Sequence, residues 1–154
     1  MTTITAWSVA TEMEMLLRII FACLLGGIIG WERERHGIYS AGIRTYSAIC
    51  IGACSFGVIG LFITHDPAHV AANVITGIGF LGGGIIFRHE GHYVAGVTTA
   101  ATLWAAAAIG LAVGFGMYLI AVCTTVLIYL LLYLPRLPWW HKISHPRHTI
   151  TPSS

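Results

Sequence analysis

Eight histidines, six carboxylates and four cysteines are the groups in this chain that could hold a metal or move a proton. His65, Asp66 and His69 lie close together, but Pro67 stands between them and breaks the helical register that would align two ligands. His89, Glu90 and His92 form a second group, and His141, His145 and His148 a third. None has the ligand spacing of a structural zinc site, so no metal is expected. Ser47, Thr98 and Thr99 share no helix face with a histidine. No nucleophile, base and orienting group can be assembled from them, and the chain does not read as an enzyme. The run Gly77-Ile-Gly79-Phe-Leu-Gly82 matches the dinucleotide fingerprint by letter. That fingerprint needs a preceding strand and an acidic residue about 20 positions later, and here it lies inside an apolar run. No cofactor is expected. Cys23, Cys50, Cys54 and Cys123 all sit in apolar stretches and read as small packing residues.

The charges say more. Glu32 falls at the C-terminal end of one apolar segment, where the helix dipole disfavours a carboxylate. Arg44 falls at the N-terminal end of the next, where it disfavours a cation. A salt bridge between the two would correct both, and is expected to fix a hairpin of the first two helices. Arg18 lies within the first apolar segment or near its outer end. It either snorkels outward to pair with Glu14 one turn earlier or lines an intramembrane site. Asn73 and Thr76, near the start of the third segment, read as interior-facing polar contacts, since polar groups facing lipid are costly. Thr98 or Thr99 suits the N-cap of the fourth.

The elements that position these groups are apolar helices. Of 154 residues 56% are hydrophobic and 9% charged, against about 25% charged in soluble domains. The mean hydropathy is +0.80. The net charge of +2 is too small and too scattered for nucleic-acid binding. The expectation is an all-α integral membrane bundle of about five transmembrane helices. They span roughly residues 12–31, 43–63, 70–87, 98–114 and 117–134. This transmembrane domain, 12–134, is followed by a short cytoplasmic tail, 135–154, with no soluble C-terminal domain.

The third segment is the densest in glycine, with Gly77, Gly79, Gly82, Gly83 and Gly84. In water each glycine costs a helix roughly 1 kcal/mol relative to alanine. In a bilayer the backbone must bond to itself, and glycines let helices approach closely. This segment is therefore expected to be the central packing helix. Further small-residue faces are Gly26/Gly30, Ala53/Gly57, Ala101/Ala105 and Gly110/Gly114, and their number points to a homodimer. Five spans place Arg33, Arg35, Arg44, Arg88, Arg136, Lys142 and Arg147 on one side. By the positive-inside rule that side is cytoplasmic and the N-terminus is outside.

Four ordered motifs then carry a resemblance. They are Gly26-x3-Gly30-Trp31-Glu32-Arg33-Glu34, Gly42-Ile43-Arg44-Thr45, Gly77 to Gly84, and Gly96-Val-Thr98-Thr99-Ala-Ala-Thr-Leu-Trp104. In this order and spacing, across about residues 14–134, the chain resembles the MgtC/SapB family. The resemblance implies a bacterial inner-membrane protein tied to adaptation to low magnesium, acid or phosphate stress and to survival inside host phagocytes. It also implies regulation of membrane partners, including the proton-translocating ATP synthase, rather than transport. A Mg²⁺ or proton transporter is the alternative. Magnesium favours carboxylate and water oxygens, and the second to fifth spans contain no Asp or Glu.

Overall fold

The computed structural model describes residues 8–35, 41–63, 66–88 and 94–136. The chain is helical: α1 (Val9–Glu34), α2 (Ile43–Ile63), α3 (Pro67–Ile85), α4 (Val97–Gly114) and α5 (Tyr118–Tyr133), with a closing 3₁₀ turn, Leu134–Arg136. All five are long and apolar enough to cross a membrane. Two strands of two residues each, β1 (Phe87–Arg88) and β2 (Val94–Ala95), pair antiparallel between α3 and α4, with Phe87 opposite Ala95.

Local chemistry sets the helix ends. Ser8 caps α1, its hydroxyl accepting the Thr11 N–H at 3.2 Å. Glu12 in the first turn complements the helix dipole. Asp66 caps α3 by accepting the His69 N–H at 3.1 Å, and Pro67 takes the first helical position, where no N–H is needed. α4 starts differently from expectation. Neither Thr98 nor Thr99 caps it; the cap is Gly96 at φ +86°, a left-handed conformation that glycine tolerates. Gly116, at φ +77°, makes the tight reversal into α5.

α4 is the hub and packs against each of the other helices. Its span is 61% buried, whereas the spans of α3 and α5 are 11% buried. The glycine-rich α3 is thus peripheral rather than central. Density of glycine alone does not place a helix; what lies opposite each glycine does. Tyr46, Cys50, Ala53, Cys54 and Gly57 of α2 form the stripe that meets α4 on one flank and α1 on the other. A Cβ at Gly26 would lie 2.6 Å from the Tyr46 carbonyl oxygen, and one at Gly30 would lie 2.5 Å from the Ile43 Cα. A Cβ at Gly114 would stand 2.6 Å from the Cys54 carbonyl, and at Gly110 it would overlap the Cys50 carbonyl. These four positions bring α1, α2 and α4 to backbone contact, the packing mode available in lipid, where no hydrophobic force draws helices together.

The alanine face foreseen on α4, Ala101, Ala105, Ala108 and Ala112, is enclosed only at its far end: Ala101 and Ala108 are exposed, Ala105 is half-buried and Ala112 is buried, while Leu103, Ala106, Ile109 and Val113 fill the core. Most of the large exposed apolar side chains lie on the outer faces of the bundle, as with Phe80, Leu119 and Leu127.

Candidate functional site

At the end of the bundle where α1 and α5 finish and α2 and α4 begin, the structure gathers a buried polar cluster. Its members are Glu32 and Arg33 from α1, Tyr46 from α2, Thr99 and Thr102 from α4, and Arg136 from the closing turn. Glu32, Arg33, Tyr46, Thr99 and Thr102 are all buried.

The hydroxyl hydrogens can be assigned by counting donors. Arginine can only donate, so Arg33 donates to the Thr99 hydroxyl at 2.6 Å. Thr102 sits 2.9 and 3.0 Å from the carbonyl oxygens of Thr98 and Thr99 and gives its hydrogen to them. Its oxygen is then free to accept from the Tyr46 hydroxyl, 2.5 Å away. The result is two short relays side by side, from Arg33 to the Thr99 hydroxyl and from Tyr46 through Thr102 to the first carbonyls of α4. They join α1, α2 and α4 at one level.

Beside it, Arg136 pairs with Glu32 at 2.5 Å. This differs from the expected Glu32–Arg44 bridge. Arg44 is exposed, whereas Arg136, brought back over the end of α1 by α5, reaches the carboxylate. The next carboxylate, Glu34, accepts the Ile43 N–H at 3.1 Å and so fastens the start of α2.

The opposite end has a simpler cluster. Arg18 pairs with Glu14 at 2.5 Å, as a snorkelling side chain would, and also donates to the Gly114 carbonyl at 2.9 Å. A cation at the C-terminal end of α4 is favoured by the helix dipole. Tyr118 lies alongside, its ring centre 6.0 Å from the guanidinium carbon.

The remaining polar positions singled out in the sequence are scattered. Thr45 and Thr98 are exposed at helix starts, and Trp104 is exposed on the outer face of α4. Asn73 is exposed and lines a cleft between α2 and α3. Thr76 turns its hydroxyl back to the Ala72 carbonyl at 2.9 Å. Of the α3 glycines, Gly82 meets the Ala100 Cβ at 3.6 Å, whereas a Cβ at Gly77, Gly79, Gly83 or Gly84 would meet nothing within 4 Å. Sequence reasoning passed over Arg33, Tyr46, Thr102 and Arg136 as site residues. The available signal was position: Tyr46 and Thr102 are polar residues about one turn inside apolar spans, at the charged end.

Chemically the cluster can hold helix ends in register and fix two buried charges. Among the described residues no three His, Cys, Asp or Glu side chains gather as metal ligands. His65, the His89–His92 group and the tail histidines lie outside the described residues.

Five apolar helices with charge confined to their ends define a multi-pass helical membrane protein. Residues 19–138 match the MgtC family, and the chain belongs to that family. Protein MgtC of Brucella abortus (strain 2308) is 48% identical over 110 residues, covering 70% of this chain and 45% of its own. An uncharacterized protein of Synechocystis is 40% identical over 117 residues, covering 75% of this chain and 49% of its own. YhiD of Escherichia coli (strain K12), whose name proposes a magnesium transporter, is 38% identical over 130 residues, covering 77% of this chain and 59% of its own. The chain thus spans about half the length of the curated relatives it matches. No solved structure matches.

Proposed function

We propose that this protein is a regulator in the bacterial inner membrane that acts by binding other membrane proteins through its transmembrane surface, in adaptation to low magnesium, acid or phosphate stress and in survival inside host cells. The observation that carries this reading is the bare face of α3. Gly79 and Gly83, one turn apart on the same side of the helix, have no neighbour within 4 Å of where a Cβ would stand. Glycines in lipid serve close helix approach, and among the described residues nothing packs against these two. A transmembrane helix of a partner, such as the proton-translocating ATP synthase, or a second copy of the chain in a homodimer, would use them.

Transport is the second reading, favoured by the name of the E. coli relative. Against it, three of the four carboxylates of α1 are engaged: Glu14 by Arg18, Glu32 by Arg136 and Glu34 by a backbone N–H, while Glu12 lies in the exposed first turn. A magnesium ion would have to displace an arginine to reach the first two.

The test is Gly83→Leu in a strain that depends on this protein for growth at low magnesium. The monomer has room for leucine at that position. The variant is expected to accumulate in the membrane with unchanged thermal stability and to lose complementation. Full complementation by Gly83→Leu would refute action through this face.

A further inference from the structure

Two neighbouring helices, α1 and α5, end in the same way. On α1, Leu24, Ile28, Trp31 and Arg35 recur every three or four residues and so share one face, and all four are exposed. On α5 and its closing turn, Leu130, Tyr133 and Arg136 repeat the order of aliphatic, aromatic and arginine, with Leu130 and Tyr133 exposed. The two helices pack together, and the Arg136–Glu32 pair brings the end of α5 onto the last turn of α1. Arg35 stands one turn beyond Glu32, so the two arginines flank the α1–α5 seam.

Each arginine lies over its aromatic neighbour. The Arg35 guanidinium carbon is 4.3 Å from the centre of the Trp31 ring, and that of Arg136 is 5.4 Å from the centre of Tyr133. Among the described residues no carboxylate pairs with Arg35. Of the carboxylates at this end, Glu32 is held by Arg136 and Glu34 accepts the Ile43 N–H. Arg136 reaches Glu32 through one terminal nitrogen, and 29% of its side chain stays exposed. A guanidinium carries several N–H donors in a fork that suits phosphate oxygens. The seam therefore presents donors and a surplus of positive charge at the edge of the lipid-facing surface.

We propose that the α1–α5 seam binds the phosphate of an anionic phospholipid, with Arg35 and Arg136 as donors and the acyl chains along Leu24, Ile28 and Leu130. The order of groups along the axis selects this ligand. From Leu24 to Arg35 α1 rises about 16 Å, which matches one leaflet of a hydrocarbon core roughly 30 Å thick. Over that length the surface passes from aliphatic through aromatic to cationic, the succession of tail, glycerol and phosphate in a lipid. Exposed tryptophan and tyrosine mark the headgroup level of a bilayer. A soluble phosphate would meet the guanidinium groups and leave the apolar stripe unused. An apolar helix would cover the stripe and leave Arg35 without a counter-charge. Arginines beside a span favour anionic headgroups over zwitterionic ones, whose own ammonium balances the phosphate.

The intact chain, purified in mild detergent, is given equal amounts of phosphatidylglycerol and phosphatidylcholine with identical acyl chains. The lipid it retains is counted by native mass spectrometry. Wild type is expected to hold phosphatidylglycerol over phosphatidylcholine by about tenfold. Arg35→Gln, at an exposed position, is expected to lower that ratio about fivefold. Arg44→Gln removes an equal charge from the start of α2 and is expected to leave the ratio unchanged. Trp31→Leu is expected to lower it about threefold, since the guanidinium loses the ring it lies on. A wild-type ratio near one would overturn the site. So would an equal fall in Arg35→Gln and Arg44→Gln, which would show diffuse attraction to charge. Displacement of phosphatidylglycerol by millimolar inorganic phosphate would overturn the lipid as its occupant.

Discussion

Arg136 reaches back across the end of the bundle to neutralise Glu32, which is almost wholly buried. Removing one partner of a buried ion pair leaves the other charge in a poor environment. Arg136→Ala is therefore expected to lower stability by about 2–3 kcal/mol, read as a fall in the thermal midpoint in detergent, while Arg44→Ala, at an exposed position, leaves the midpoint unchanged. Reversing both charges, Glu32→Arg with Arg136→Glu, should recover part of the loss; a double variant no better than the worse single one would show that the pair does not act as a unit. Tyr46→Phe removes the donor to Thr102 and is expected to cost about 1 kcal/mol. The charged groups of this end could be picked out in the sequence, since they sit where the helix dipole disfavours them. Their pairing could not, because it depends on how α5 returns over α1, a long-range consequence of packing that no local pattern encodes.

At the level of elements, glycines divide into two kinds that composition does not distinguish. Gly26 and Gly110 stand against backbone, so even alanine there would force α1 or α4 away from α2. Gly26→Ala and Gly110→Ala are expected to destabilise by about 1–3 kcal/mol. Gly79→Ala and Gly83→Ala, with open space before them, should be neutral or stabilising by up to roughly 1 kcal/mol through helix propensity. Thermal unfolding of the four variants, side by side, reads this contrast, and equal losses at Gly26 and Gly79 would contradict it. The helices themselves were legible, because uninterrupted apolar length between charges forces a helical span in lipid. Their ranking was not. α3 was expected at the centre for its glycines, yet α4 is central because its alanines, threonines and small turns can be enclosed on several sides at once. The alanine series on α4 misled for a related reason: small residues permit close packing, but which face is enclosed depends on bulky neighbours such as Leu103, Ile109 and Val113, all buried.

For the whole molecule, the proposed topology of five membrane crossings would put the two chain ends on opposite sides of the membrane. By the positive-inside rule, the excess of arginine at the end where α1 and α5 finish is expected to make that end cytoplasmic. Single cysteines at Ser8 and Ser153, in a background without the native cysteines, are expected to label with membrane-impermeant reagent from opposite sides; labelling from the same side would exclude five spans. Family membership fits a membrane protein whose charge lies at its surfaces. The proposal built on it is that the molecule works as a surface for other membrane proteins and passes no ion itself. Magnesium flux into liposomes holding only the purified protein tests that most directly. The account predicts uptake no faster than in protein-free liposomes; saturable uptake abolished by Glu14→Gln or Asp66→Asn would contradict it and establish the protein as a transporter.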